Sequence, residues 1–141
     1  MPQTDVTEEI SKIVLEQFGA RVGFRFKEMG KGKIYAYKEC KVLEDKPIDA
    51  THYGVYFGRL EKDGLRLTIE GAQLIGETAK KNVIELDYDE AVKWMRGEDF
   101  QLESEYQGYV ILKWKNYFLG CGKLKNGVVK NFVPKDRRII D

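Results

Sequence analysis

The sequence predicts an α+β fold, and three observations carry that reading. Short stretches alternate apolar and polar residues, as in GFRFK, KIYAYK and GYVILKW, which is the period of half-buried strands. Two segments instead repeat apolar residues every three to four positions behind a capping-box pair, the pattern of amphipathic helices. Glycine, asparagine and aspartate punctuate the strands at hairpin spacing. Many short strands with two or three helices describe a small, strongly curved sheet or partly closed barrel capped by helices. The 141 residues suit one such domain, and no repeat, low-complexity tract or linker divides them.

Residues Asp5 to Phe18 read as a helix: Asp5 and Glu8 can form the capping box, Ile10, Ile13, Val14 and Phe18 share a face, and Gly19 is the stop. Val22, Phe24 and Phe26 then alternate with Gly23, Arg25 and Lys27. Gly30 to Gly32 turn the chain into KIYAYKE, so Val22 to Glu39 form a β-hairpin. After a polar segment with Pro47, GVYFGRL and RLTIE flank the turn KDG, where Asp63 and Gly64 can take positive φ, and Gly71 interrupts the second strand. AQLIG supplies one helical turn and NVIELD a strand. Asp87 and Glu90 form the second box, opening a helix that turns Ala91, Val92, Trp94 and Met95 to the core and closes at Gly97. From Gly108 three strands follow, GYVILKW, YFLGCGKL and VVKNF. They are joined at Lys115-Asn116 and at Asn126-Gly127, the second pair being typical of a type I′ turn.

No apolar run approaches the roughly 20 residues that cross a bilayer. The opening MPQTDVTEEI has neither the basic n-region nor the apolar h-region of a signal peptide, so a cytoplasmic protein with no membrane contact is expected. Cys40 and Cys121 lie far apart and the single histidine, His52, belongs to no ligand-spaced pair; free thiols and no metal are the expectation. The net charge of +1 hides an asymmetry. Residues 106–141 carry eight lysines and arginines against two aspartates, a net +6, which leaves −5 for residues 1–105. A localised polyanion-binding face fits that imbalance, a solvated lysine-rich surface being the plain alternative.

Enzyme signatures are sparse. Neither GxGxxG nor GxxxxGK[ST] follows a strand, and Gly120-Cys121-Gly122-Lys123 reads better as a strand approached closely by another group than as a phosphate loop. Glu85, Asp87, Asp89 and Glu90 cluster near the second helix, where capping and solvation account for them. His52, with Asp87 and Asp89, is kept as the candidate catalytic alternative, and Cys121 has no histidine near it in sequence. The tail differs in kind: Tyr109, Trp114, Tyr117 and Phe132 interleave with Lys113, Lys115, Lys123, Lys125 and Lys130, and Lys135, Arg137 and Arg138 follow. Cations neutralise phosphates and exposed rings stack unpaired bases. Alternate rings on strands normally point inward, so the cations come first, with Tyr117 or Asn131 as secondary contacts.

The stretch from Gly108 to Ile139, with Leu119-Gly120, Gly122-Lys123, Asn126-Gly127, Lys130-Asn131 and Pro134, resembles the RNA-binding tail of the bacterial ribosomal RNA cytosine-5 methyltransferase F family, a PUA-like domain. WMRGEDF, with Arg96, Gly97 and Glu98, is similar to the helix exit before that hairpin. GVYFGRLEKDGLRLTIEGAQLIG, with EYQGYV later, is similar to the PUA-containing ribosome-biogenesis factors. The resemblance implies a PUA-like β-pseudobarrel over residues 54–139 with flanking helices, and residues 1–50 as a helix-plus-hairpin extension. It also implies RNA contact at the first strand-to-helix connection, through Arg66 and Glu70 to Gln73 including Gly71, and at Lys123, Lys130 and Asn131 in the tail. The chain shows no methyltransferase core and no S-adenosylmethionine-binding strand-loop-helix, so neither catalysis nor a cofactor is implied.

The expectation is therefore an RNA-binding module acting in rRNA or tRNA modification or ribosome assembly, without catalytic activity of its own. Lys123, Lys125, Lys130, Lys135, Arg137 and Arg138 would hold phosphates, with Asn131, Arg66, Gln73 and the backbone near Gly71 beside them. Its partners would be structured RNA and an RNA methyltransferase or ribosome-assembly factor. The alternative is a protein-interaction adaptor whose acidic N-terminal part recruits such an enzyme or factor.

Overall fold

A computed structural model describes residues 3–38 and 54–139. Cys40, Pro47 and His52, and the expected end of the first hairpin at Glu39, lie outside the described residues. In chain order the elements are β1 (Gln3–Asp5), α1 (Thr7–Phe18), β2 (Arg25–Met29), β3 (Lys33–Tyr37), β4 (Val55–Glu61), β5 (Gly64–Leu67) and α2 (Ile69–Ile75). They continue with β6 (Val83–Glu85), α3 (Tyr88–Met95), β7 (Phe100–Gln101), β8 (Gly108–Trp114), β9 (Tyr117–Lys125) and β10 (Val128–Lys130), and a short 3-10 turn at Lys135–Arg137 follows.

The class is α+β, and the described strands divide into two five-stranded sheets, consistent with a PUA-like pseudobarrel. The first sheet is an antiparallel meander, β1-β2-β3-β4-β5. The second runs β6-β8-β9-β10-β7, with β6 parallel to β8 and the other pairs antiparallel. Ile10, Val14 and Phe18 of α1 pack with Phe26, Ile34, Phe57 and Leu65 of the first sheet, and Ile111 and Cys121 of the second sheet close the same core. A second core joins Ala91 and Trp94 of α3 to Val110, Leu112, Leu124 and Val129. The second sheet is thus covered on both faces, which is why Val110, Ile111 and Leu112 are all fully buried instead of alternating.

Several local expectations change. The first helix begins at Thr7, because Asp5 belongs to β1: its backbone pairs with Lys27, while its carboxylate accepts from the Thr7 amide and hydroxyl and from Arg25. The Asp5–Glu8 box is therefore not the cap. The Asp87–Glu90 box forms as expected. Residues 22–24 lie outside the strand, which runs only from Arg25. Lys62 and Asp63, neither with positive φ, turn the β4–β5 hairpin, while Gly64, at φ 146°, opens β5. RLTIE is strand only as far as Leu67. Thr68 caps α2 by accepting from the Gly71 amide, so the helix starts before Gly71 and not after it. A Cβ on Gly71 would overlap the Phe57 carbonyl oxygen, so glycine lets α2 lie directly on β4. Asn126 and Gly127 both take positive φ, 53° and 76°, as the type I′ turn requires.

Candidate functional site

Cross-strand register lines up Tyr109 with Lys123, and Lys123 with Lys130, across β8, β9 and β10. Lys125 lies two residues beyond Lys123 and shares its face. The opposite face of the same strands sends Leu124 and Val129 into the α3 core. Tyr109 is buried, and Lys123 Nζ lies 5.5 Å over its ring. Its hydroxyl donates to Asp63 Oδ1 at 2.9 Å, and Lys123 forms an ion pair with the same carboxylate. Hydrogen bonds from Lys123 and then Tyr109 hold the Asp63 carboxyl below its usual range, and burial pushes the Tyr109 phenol up. Phe132 packs 6.4 Å from the Tyr109 ring, and the Arg66 guanidinium lies 4.7 Å over Phe132. Side chains thus connect Arg66 to Lys123 without a break.

Next to this row lies a cleft of about 590 Å³, lined by Tyr56, Arg59, Arg66, Glu70, Phe132 and Arg137, with Thr68 and Pro134 among its other walls. Glu61 lies between Arg59 and Arg66, at 3.9 and 3.6 Å. Arg137 pairs with Glu70 at 2.6 Å, tying the tail to α2. Gln73, also exposed, lies one turn beyond Glu70 along α2. Lys125, Lys130 and Lys135 are exposed and without an ion pair among the described residues. The structure therefore brings Arg66, Lys123, Lys125 and Lys130 to one neighbourhood and Arg137 to its border.

Three expected contacts have other employment. Gly71 is buried and its amide is taken by Thr68 Oγ1, so it offers no donor to a ligand. Asn131 donates from Nδ2 to the Trp94 and Glu98 carbonyls and accepts the Val133 amide at Oδ1, which makes it the clasp between α3 and the tail. Arg138 donates Nε to the Val133 carbonyl and packs over Gly97. Arg59 was missed because a bulge in β4 opposite Ile34 and Tyr35 shifts the alternation in GVYFGRL. Gly122 has no phosphate role: its Cβ would lie 2.9 Å from Val129 and 3.0 Å from Trp94, so the glycine admits the indole. Burial pushes the Cys121 thiol up to about 12, and Asp87 is committed to its cap; neither is set up as a nucleophile or base. Among the described residues no cluster of histidine, cysteine or carboxylates can hold a metal ion, and no helix is long and apolar enough to cross a membrane.

Comparison with known proteins addresses the C-terminal part. Residues 81–139 match the family model described as the methyltransferase RsmF PUA domain. The ribosomal RNA small subunit methyltransferase F of Aeromonas salmonicida (strain A449) is 36% identical over 84 residues, 59% of this chain and 18% of that protein. The proteins of the same name from Vibrio cholerae serotype O1 (strain M66-2) and Vibrio vulnificus (strain YJ016) are 30% and 26% identical over 84 and 83 residues, with the same coverage. This chain spans under a fifth of the length of these relatives. The likeness read from WMRGEDF and the C-terminal hairpins is found here.

Proposed function

We propose, from a C-terminal part that matches a methyltransferase PUA domain, that this protein is an RNA-binding module acting in ribosomal RNA modification, with transfer RNA modification and ribosome assembly as the neighbouring settings. The observation that carries the reading is the row Tyr109–Lys123–Lys130, joined through Phe132 to Arg66. Ammonium groups spaced across adjacent strands suit successive phosphates of a folded RNA, and a shape-based contact of this kind needs no catalytic group. The module has no catalysis of its own in this reading. It works in the cytoplasm, and an RNA methyltransferase or assembly factor acting on the bound RNA is its protein partner. The N-terminal helix and hairpin, residues 1–50, extend the PUA-like segment at 54–139 within one domain, in keeping with the core that α1 shares with Ile111 and Cys121.

Titration of a fluorescein-labelled RNA hairpin, followed by anisotropy at several salt concentrations, tests this. Tight binding at low salt that weakens about tenfold or more in the Lys123→Ala, Lys130→Ala double variant is expected. No binding at low salt, or undiminished binding by that variant, defeats the proposal.

A further inference from the structure

The first sheet presents a second candidate surface, in residues that the family match does not reach. Its inner face sends Phe26, Ile34, Phe57 and Leu65 to the core. On the outer face Lys33 stands opposite Arg59, and Arg59 opposite Arg66, so three adjacent strands present a row of cations. One side-chain step along, about 7 Å, Tyr35 stands opposite Tyr56, their rings stacked at 5.3 Å with planes 25° apart. Tyr37 follows, with Lys27 Nζ 5.2 Å over its ring.

Folding alone does not call for this arrangement. Like charges directly opposite each other across strands are destabilising, and Glu61 is the carboxylate that offsets Arg59 and Arg66. A bound polyanion would relieve the repulsion. The bulge in β4 is what keeps both Tyr56 and Arg59 outward while Phe57 and Gly58 are buried between them. Cations beside nearly parallel aromatic rings match a strand of unpaired nucleotides, with phosphates on the Lys33–Arg59–Arg66 row and bases against the tyrosines. A duplex hides its base faces, and an acidic peptide would use the cations but not the ring pair.

We propose that the outer face of the first sheet binds an unpaired RNA segment, at a site separate from the Lys123–Lys130 row and meeting it at Arg66. The class of ligand rests on the RNA-binding reading above; the location rests on the first sheet alone.

The test titrates the full chain with fluorescein-labelled decauridine and, separately, with the RNA hairpin. Decauridine is expected to bind at low salt. Tyr35→Ala with Tyr56→Ala should weaken it about tenfold or more, whereas the Tyr→Phe pair, which keeps the rings, should retain it. Lys33→Ala with Arg59→Ala, both outside the core, should flatten the salt dependence of log K by roughly 1.4, about 0.7 per lost cation. That variant decides the matter if the alanine pair fails to fold. Hairpin binding without decauridine binding overturns this site and leaves the proposed function standing; failure of both RNAs overturns both. Displacement of decauridine by decaglutamate as readily as by unlabelled decauridine also overturns it, reassigning the face to acidic peptides.

Discussion

Replacing Asp63 by asparagine should strengthen RNA binding, although it removes an ion pair. Asp63 holds Lys123 and accepts the Tyr109 hydroxyl at 2.9 Å. Asparagine keeps an oxygen acceptor for that hydroxyl and cancels the negative charge, so the ammonium in the middle of the Tyr109–Lys123–Lys130 row is released for a phosphate. Each cation newly engaged steepens the dependence of log K on log salt by about 0.9 on a duplex and 0.7 on a single strand. Between about 50 and 200 mM salt one such cation changes the ratio of affinities roughly threefold. Anisotropy titrations of the hairpin at four salt concentrations resolve this difference. The expected result is tighter binding at low salt with a slope steeper by about 0.7–0.9. Weaker binding, or an unchanged slope, refutes the placement of Lys123 on phosphate. A pH profile offers a second check. The Asp63 carboxyl sits below its unfolded value in the folded protein, so its stabilising contribution is present above the unfolded pKa of 3.8 and is lost as pH falls through the lower folded one. In Asp63→Asn that acid-side loss should shrink.

Gly71→Ala should destabilise the fold by about 3 kcal/mol or more, since the new methyl overlaps the Phe57 carbonyl and α2 must lift from β4. Thermal unfolding should show a midpoint drop on the order of 10 °C, and an unchanged midpoint would contradict the packing account. Asn131→Ala should cost roughly 2–3 kcal/mol by freeing the Trp94 and Glu98 carbonyls and the Val133 amide. Hairpin affinity measured well below the transition should change less than about twofold; a large affinity loss at unaltered stability would restore Asn131 as an RNA contact. Burial pushes the Cys121 thiol from 9 up to about 12, so its contribution to stability should be intact below pH 9 and fall by about 1.4 kcal/mol per pH unit between there and the folded value. Urea titrations at rising pH should show Cys121→Ala lacking that component, and identical slopes in both proteins would argue against the burial of the thiol.

The sequence made some elements legible and hid others for identifiable reasons. The Asp87–Glu90 box and the Asn126-Gly127 turn are local hydrogen-bond devices and read correctly. Beginning α1 at Asp5 failed because that carboxylate serves Thr7 and Arg25 at once while its backbone joins a strand, a tertiary demand that outweighs local capping. The two-residue β7 and three-residue β1 carry too little periodicity to detect; their partners, β10 and β2, define them. Among the site residues, the tail cations stood out as a charge imbalance, yet sequence could not show that Asp63 would come back to Lys123 from 60 residues away, or Glu70 to Arg137. Nor could it show that Asn131 spends its side chain on α3. The outer face of the first sheet stayed hidden because plain alternation puts Tyr56 and Arg59, three residues apart, on opposite faces, and only the bulge brings them to the same one.

The central claim, that RNA lies on the face joining Arg66 to Lys130, is tested most directly by ultraviolet crosslinking of the bound hairpin followed by mass mapping of the crosslinked peptides. Crosslinks concentrated on the peptides that hold Lys123 to Lys130 and Phe132 to Arg137, and lost on raising the salt, are the predicted result. Crosslinks confined to the outer surfaces of α1 and α3, around Glu9 and Lys93, would contradict it.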